Sequence, residues 1–181
     1  MPQDKIRLAL ILGSTREGRF CDTVARWVEA RIEDYGGFAI DIIDPAHEDP
    51  AHAIAARLHA ADAFVIVTPE YNHGYPAPLK ALIDTVGQPW QAKPVAFVSY
   101  GGMSGGLRAV EQLRQVFAEL HAVTMRDCVC FANAWRLFDG NGALHDPEAS
   151  QAAMRTLLAR LCWWSLALRH ARHDTPYADA A

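Results

Sequence analysis

The sequence has little that would mark a membrane protein, a secreted protein or a nucleic-acid-binding protein. Its 181 residues contain no apolar run long enough to span a membrane. A formal charge of -4 and a pI near 6.0 provide no basic surface for nucleic acid. The first apolar run is not followed by a small-residue cleavage site, so we expect a cytoplasmic location.

The four cysteines are also too few and too unevenly spaced for a disulfide framework or a zinc site. Cys128 and Cys130 are two residues apart in a predicted strand and should share one face of it. We interpret them as buried free thiols, because free cysteine is among the most buried residue types. No metal site is expected.

Two common phosphate-binding signatures are absent as well. The sequence contains neither the Walker pattern GxxxxGK[ST] nor the dinucleotide fingerprint GxGxxG. A P-loop nucleotide hydrolase and a Rossmann dehydrogenase are therefore not indicated.

Short apolar runs alternate along the chain with amphipathic segments. Runs such as LALIL, FVIV and VAFV lack a period of two, as strands covered by helices on both faces should. This alternation predicts one α/β domain over residues 1–181, with five mostly parallel strands between two helical layers and a frayed tail at 173–181. The predicted strands are 6–12, 38–44, 63–68, 94–100 and 123–131; the predicted helices are 23–35, 51–61, 77–86, 106–122 and 146–172.

The segments after strands one, three and four are the candidates for a binding site, because ligands of open α/β sheets bind at the carboxyl ends of strands. The first segment, GSTREGRF, combines flexible glycines, hydroxyl donors and two arginines ahead of a helix N-terminus. Such a loop suits a phosphate group. The alternative is an exposed polar turn with solvated arginines.

The other two segments suit a flat ligand. PEYNHGYPAP is stiffened by prolines and carries aromatic and amide side chains, and SYGGMSGG removes side chains where a bulky group could approach the backbone. Taken singly, each could equally be an ordinary surface loop.

Together the three segments GSTREGR, PEYNHGYPAPLKALID and KPVAFVSYGGMSGG resemble the NAD(P)H-dependent FMN reductase family, which includes quinone, chromate and azo-dye reductases. The resemblance implies a flavodoxin-like fold and FMN as the cofactor. By this resemblance, the FMN phosphate is held by Ser14, Arg16, Arg19 and the backbone at Phe20 and Cys21; the ring and ribityl groups by Pro69, Glu70, Tyr71 and Asn72; and the opposite edge of the pocket by Ser99, Gly101 and Gly102.

The resemblance also implies a mechanism and partners. NADPH or NADH would reduce the flavin, and the flavin would then reduce a small acceptor in a ping-pong cycle, so no catalytic side chain is expected. His73 and Tyr75 are predicted to line the substrate face, although His73 could equally be a loop histidine without a chemical role. A homodimer or homotetramer is expected.

Two alternatives stay open. A flavodoxin-type electron carrier would be more acidic than this chain is, and a flavin-based redox sensor would lack steady turnover.

Overall fold

Five parallel strands form one sheet in the computed structural model, which describes residues 5–47 and 51–180. The strands are β1 (Ile6–Leu12), β2 (Phe38–Ile43), β3 (Ala63–Pro69), β4 (Pro94–Gly101) and β5 (Val123–Ala132). Their spatial order is β2-β1-β3-β4-β5. This is the flavodoxin-like order, and the prediction of that fold is confirmed.

Five helices connect and follow the strands: α1 (Cys21–Tyr35), α2 (Ala51–Ala60), α3 (Ala77–Asp84), α4 (Leu107–Glu119) and α5 (Glu148–Asp174). Each differs from its predicted bounds by a few residues at most. Among the described residues, no helix combines the length and the apolar composition needed to cross a membrane.

Each face of the sheet carries its own apolar core. On one face, α1 and α5 pack against the sheet through residues such as Val28 and Leu158. On the other face, α2, α3 and α4 contribute Leu58, Leu79 and Leu113. All seven residues of β3 are buried, which explains why its sequence shows no polar alternation.

From β1 the chain adds β2 on one side, and then β3, β4 and β5 on the other side. The strand order therefore reverses between β1 and β3, which pair directly. In such sheets, the crevice outside the carboxyl ends of the two strands is the usual ligand site. The loops after β1, β3 and β4 all lie at this edge.

The C-terminal segment is more ordered than the predicted tail. Helix α5 continues to Asp174, and the Tyr177 hydroxyl lies 2.9 Å from Nδ1 of His121. The frayed tail predicted from residue 173 onward is therefore not what the structure shows for 173–180, while Ala181 lies outside the described residues. The tail is held because an aromatic side chain reaches a polar partner and stacks edge-on against its ring.

Candidate functional site

Ser14 joins the loop after β1 to the loop after β3. Its side chain is completely buried, and its Oγ lies 2.8 Å from the Tyr71 hydroxyl. The backbone N–H of Arg16 points to the same Oγ at 3.4 Å. The serine hydroxyl is thus held in one place at the start of the predicted phosphate loop.

Arg19 has protein partners at each of its guanidinium nitrogens. It donates to both carboxylate oxygens of Asp44, with 2.7 Å from Nη1 to Oδ1, and to the Ser14 carbonyl. Its Nε donates to Asp22 at 2.8 Å. Only 6% of the side chain is exposed, so Arg19 shapes the loop from inside. A direct contact between Arg19 and phosphate stays a prediction, and this geometry does not favour it.

The pKa values of Arg19 and Asp44 are shifted in opposite directions. The hydrogen bond to Asp44 raises the pKa of Arg19 above its usual value, despite the opposing effect of burial. Burial tends to raise the pKa of Asp44, but the hydrogen bonds that it accepts from Arg19 and from the backbone of Ala46 lower it overall. Both groups therefore stay ionised, and the loop remains tied to the end of β2.

Arg16 is the exposed arginine of the loop. Its guanidinium carbon lies 3.5 Å from the centroid of the Tyr71 ring, a cation–π contact. The Arg16 guanidinium can move away from the Tyr71 ring without breaking any salt bridge that the structure describes. Of the two predicted phosphate arginines, Arg16 is the one whose position suits an incoming anion.

Helix α1 begins directly after this loop. Phe20 is its N-cap residue, and no side chain caps the helix within the described part of the chain. The first N–H groups of an α-helix have no partner inside the helix, and they attract anions. The Phe20 ring packs against Tyr100 and Phe138, so this residue can offer only its backbone to the ligand.

Cys21 likewise turns its side chain away from the site. Its thiol is completely buried and contacts the Val67 carbonyl at 3.8 Å. Burial raises the pKa of this thiol, which keeps it neutral. Contact between the Cys21 backbone and a phosphate stays a prediction.

A tight hairpin forms the tip of the loop after β3. Tyr71 and Gly74 exchange backbone hydrogen bonds of 2.9 and 3.0 Å. Between them, Asn72 and His73 both have positive φ angles, 49° and 69°, as a type I′ turn requires. Gln112 of α4 donates to the His73 carbonyl at 3.0 Å and holds the turn from outside. Both turn side chains are therefore exposed at the edge of the site.

Two other predicted residues of this loop lie deeper. Pro69 is the last residue of β3, is buried and pairs with Tyr100 of β4. Tyr75 is half-buried against the core under α2, α3 and α4. Pro69 can support a ligand through its backbone, whereas Tyr75 presents only part of its ring.

Glu70 connects the hairpin loop to the loop after β4. Oε1 accepts from Nη1 of Arg108 at 2.7 Å; Oε2 accepts from Ser104 Oγ at 2.7 Å and from the Arg108 backbone at 3.2 Å. Burial tends to raise the pKa of Glu70, but these hydrogen bonds lower it overall. Glu70 is a fixed anion that holds two loops together, not an acid that delivers a proton.

The loop after β4 closes tightly over Ser99. Gly106 has φ +88°, and a Cβ on it would lie 2.6 Å from the Ser99 Cβ. Ser99 is completely buried and donates to the Gly105 carbonyl at 2.8 Å. Ser99 thus supports the glycine loop from beneath, and its contact with a flavin stays a prediction. Gly101 and Gly102 lie at the rim, next to Trp135, whose ring comes within 3.9 Å of a Cβ built on Gly102.

Together these loops present what an FMN phosphate and a flat ring need. They offer an uncapped helix N-terminus, an exposed arginine, a serine hydroxyl that fixes the phosphate loop from beneath, and a glycine-rich loop after β4. We therefore find that the residues present fit FMN.

Four contributors were missed by the sequence reasoning: Asp44, Ser104, Arg108 in its role beside Glu70, and Gln112. Asp44 could have been found from the flavodoxin-like order, because an acid at the end of β2 must lie beside the loop after β1. The other three lie on or before α4, and nothing in their local pattern indicates that they face the hairpin.

Comparison with known proteins places these features in a family. The family model of NADPH-dependent FMN reductases matches residues 6–136. An NAD(P)H-dependent FMN reductase of Schizosaccharomyces pombe is 35% identical over 130 residues, which cover 61% of this chain and 64% of that protein. A quinone reductase of Escherichia coli is 33% identical over 140 residues, which cover 67% of this chain and 74% of that protein.

Solved structures agree on the fold. A flavoenzyme NAD(P)H:acceptor oxidoreductase from Paracoccus denitrificans superposes with a TM-score of 0.73 at 19% identity, covering 88% of this chain and 97% of that one. The matched segment spans just under two thirds of the fission yeast relative's length. The family match covers most of this chain and includes all three loops. The chain therefore belongs to the NADPH-dependent FMN reductase family, as its motifs predicted.

Proposed function

We propose that the protein oxidises NAD(P)H through FMN bound at the β1/β3 edge and passes the electrons to a small acceptor of the quinone kind. The observation that carries this proposal is the joining of three loops around one edge by Ser14–Tyr71 and by Glu70 with Ser104 and Arg108. Bound FMN supplies the hydride-accepting ring, so the protein has to bind this cofactor, orient it and shield it from competing reactions.

The side chains divide these tasks. Ser14, Arg16 and the backbone of Phe20 and Cys21 hold the phosphate. The backbone from Pro69 to Asn72 follows the ring, and the glycine loop with Gly101 and Gly102 lets the opposite edge approach. Glu70, already bonded three times, contributes by keeping the two loops at a constant separation.

One open face remains for the electron donor and the acceptor in turn. His73 is exposed at the tip of the hairpin, and its backbone carbonyl is held by Gln112. It can contact an acceptor, but the chemistry does not require a proton from it. If His73→Ala left quinone turnover unchanged, a proton-donating role for His73 would be rejected.

The test is the visible absorption spectrum of the purified protein under anaerobic conditions. We expect a flavin spectrum that bleaches with NADPH or NADH and returns when a quinone is added. A protein that neither carries nor binds FMN would contradict the proposal. A bound flavin that neither donor can reduce would instead identify an electron carrier or a sensor.

We also propose that the protein works as a homodimer, or as a homotetramer built from such dimers. Support comes from exposed apolar side chains around the glycine loop: Met103 is 84% exposed, Trp135 58% and Leu107 46%. A second copy that covered them would also enclose the open face of the flavin. The cytoplasmic location stays a proposal that depends on the sequence alone.

A further inference from the structure

Cys128 and Cys130 form a close pair of thiols on the edge strand β5. Their Sγ atoms lie 3.5 Å apart on the same face of the strand. Both residues are half-buried, whereas Cys21 is completely buried, and all four cysteines are free. The prediction of a shared face is correct, but the prediction that both thiols are buried is wrong, because β5 has no neighbour on its outer side.

An open groove gives Cys128 access to solvent. It has a volume of about 630 Å³ and is lined by Cys128 together with Glu111, Arg114, Thr124, Arg126 and Asp127. The groove exists because β5 bulges before Cys128: from Val95 to Phe97, β4 advances two residues, while β5 advances four, from Thr124 to Cys128. A small oxidant can therefore reach this thiol.

The bulge also fixes a positive charge beside Cys128. Arg114 of α4 donates to the carbonyl oxygens of Met125 at 2.6 Å and of Arg126 at 3.1 Å. Its Nε donates to Glu111 at 3.0 Å, which is the opposing negative charge on the same helix. Since the carbonyls hold the guanidinium in place, the cation stays near the sulfur.

These surroundings shift the pKa values of the two thiols in opposite directions. The hydrogen bond between them lowers the pKa of Cys128; burial opposes this, and Arg114 adds to it. The same hydrogen bond raises the pKa of Cys130, with burial adding to the effect. The thiolate is the nucleophilic form of cysteine, so Cys128 is the attacking group of the pair.

A bond between the two sulfurs requires a local contraction of the strand. Residues two apart in a strand have Cα atoms about 6.6 Å apart, close to the upper limit of about 6.8 Å for disulfides. The sulfurs must approach by about 1.5 Å to reach the bonded distance. A bridge near this limit is strained and easily reduced, which is typical of reversible rather than structural disulfides.

We propose that Cys128 and Cys130 are a redox-active dithiol that hydrogen peroxide converts into an intrastrand disulfide. The Cys128 thiolate attacks the peroxide, the O–O bond breaks, and a sulfenic acid forms while hydroxide leaves and is protonated to water. The Cys130 thiol then attacks this sulfur, the S–S bond forms, and the sulfenic oxygen leaves as a second water. The two thiols lose two electrons, and the peroxide gains them.

The oxidation also reaches the flavin edge. Ser99 Oγ lies 3.3 Å from Cys130 Sγ and 2.8 Å from the Gly105 carbonyl, and its single hydrogen can be donated to either of these two acceptors. Drawing Cys130 toward Cys128 removes one of these two acceptors. The dithiol is thus linked through Ser99 to the loop that encloses the cofactor.

The test uses the purified protein treated with hydrogen peroxide, then with iodoacetamide, and digested with trypsin. Cleavage after Arg126 and Arg136 releases a peptide, 127–136, that holds both cysteines and no other. We expect this peptide to lose two hydrogens, to carry no alkyl group, and to regain both alkylation sites after dithiothreitol. A peptide that is fully alkylated after peroxide treatment would overturn the proposal.

Three variants separate the roles. Cys130→Ser should accumulate a sulfenic acid at Cys128 that dimedone traps, and Cys128→Ser should leave Cys130 alkylatable after peroxide. Cys162→Ser, which removes a half-buried thiol on α5, should leave the bridge intact. In the untreated wild-type protein, iodoacetamide should modify Cys128 about tenfold faster than Cys162 at neutral pH. An equal or slower rate at Cys128 would also overturn the assignment.

Discussion

At the scale of single residues, the site depends on positions where an ordinary side chain is strained. Asn72 and His73 accept positive φ angles because they form the turn of a two-residue hairpin. Gly106 also has a positive φ angle. A Cβ built on it would in addition overlap with Ser99 and the Tyr100 backbone. The loop after β4 can follow only one course, because any other residue at 106 would clash.

Gly106→Ala should therefore lower the free energy of unfolding by about 3 kcal/mol, through left-handed strain and overlap with Ser99. Urea denaturation measures this change. Gly87→Ala is the matched control, since Gly87 has φ -99° and nothing within 4 Å of a built Cβ. It should change stability by about 0.5 kcal/mol or less. Equal effects of the two substitutions would contradict this account.

Ser14→Ala should weaken FMN binding about tenfold, because it removes a buried hydroxyl aimed at the phosphate loop. Quenching of flavin fluorescence on binding gives the dissociation constant. Ser150→Ala on α5 is the control and should leave the affinity unchanged.

The Ser14–Tyr71 contact itself is tested by a double-mutant cycle. Ser14→Ala and Tyr71→Phe each remove one partner of the 2.8 Å hydrogen bond. Their combined effect on FMN affinity should fall short of the sum by about 1 kcal/mol. Strict additivity would show that the two hydroxyls act independently.

At the scale of elements, charged side chains tie neighbouring loops to each other. Arg19 ties the loop after β1 to the end of β2. Glu70 ties the loop after β3 to the start of α4. Because each tie is charged and its carboxylate is largely shielded from water, at 16% exposure for Asp44 and 7% for Glu70, it holds the loops at a set distance without a large apolar contact.

Glu70→Gln should destabilise the protein by about 1–2 kcal/mol at neutral pH, because the amide cannot accept the three bonds that the carboxylate accepts. The pKa of Glu70 is lower in the folded protein than its free value of 4.5. As the pH falls, the unfolded chain therefore takes up this proton first, and the stabilisation is lost.

The stability difference between wild type and Glu70→Gln should accordingly be constant above about pH 5.5 and shrink as the pH drops below 4.5. Urea unfolding at a series of pH values measures it. Glu119→Gln, an exposed change at the end of α4, is the control. A difference that grew toward low pH would reverse the assignment.

At the scale of the whole molecule, exposed apolar surface concentrates beside the proposed flavin site. Met103 lies in the loop after β4 and Leu107 begins α4, while the Trp135 ring comes within 3.9 Å of a Cβ built on Gly102. The Asn133 backbone N–H donates to the Gly102 carbonyl at 2.9 Å. A second exposed aromatic group, Trp163 with Trp164, lies on α5. Only the first adjoins the loop after β4, where the flavin is proposed to bind.

Light scattering coupled to size exclusion should thus give the mass of a dimer or tetramer for the wild-type protein. Trp135→Glu should shift this mass toward the monomer, since a charge would have to be buried in the interface. Trp163→Glu replaces an equally exposed tryptophan, 63% against 58%, and should leave the assembly unchanged. A wild-type monomer would reject the proposal. Dissociation by Trp163→Glu alone would place the interface on α5.

The sequence by itself determined the order of strands and helices, the parallel sheet and the three loops that build the site. These features depend on local pattern, since apolar runs without alternation belong to strands covered on both faces, and glycines and prolines mark where they end. The same reasoning predicted Ser14, Arg16 and the hairpin residues as binding residues, because each lies directly after a strand.

Only the tertiary structure decided which partner each charged or reactive side chain has. Arg19 meets Asp44 because β2 lies beside β1, and Glu70 meets Ser104 and Arg108 because β3 lies beside β4. The exposure of Cys128 follows from a bulge on an edge strand. Hydrogen-bond partners are set by the neighbours that the fold brings together, and a local pattern contains no record of those neighbours.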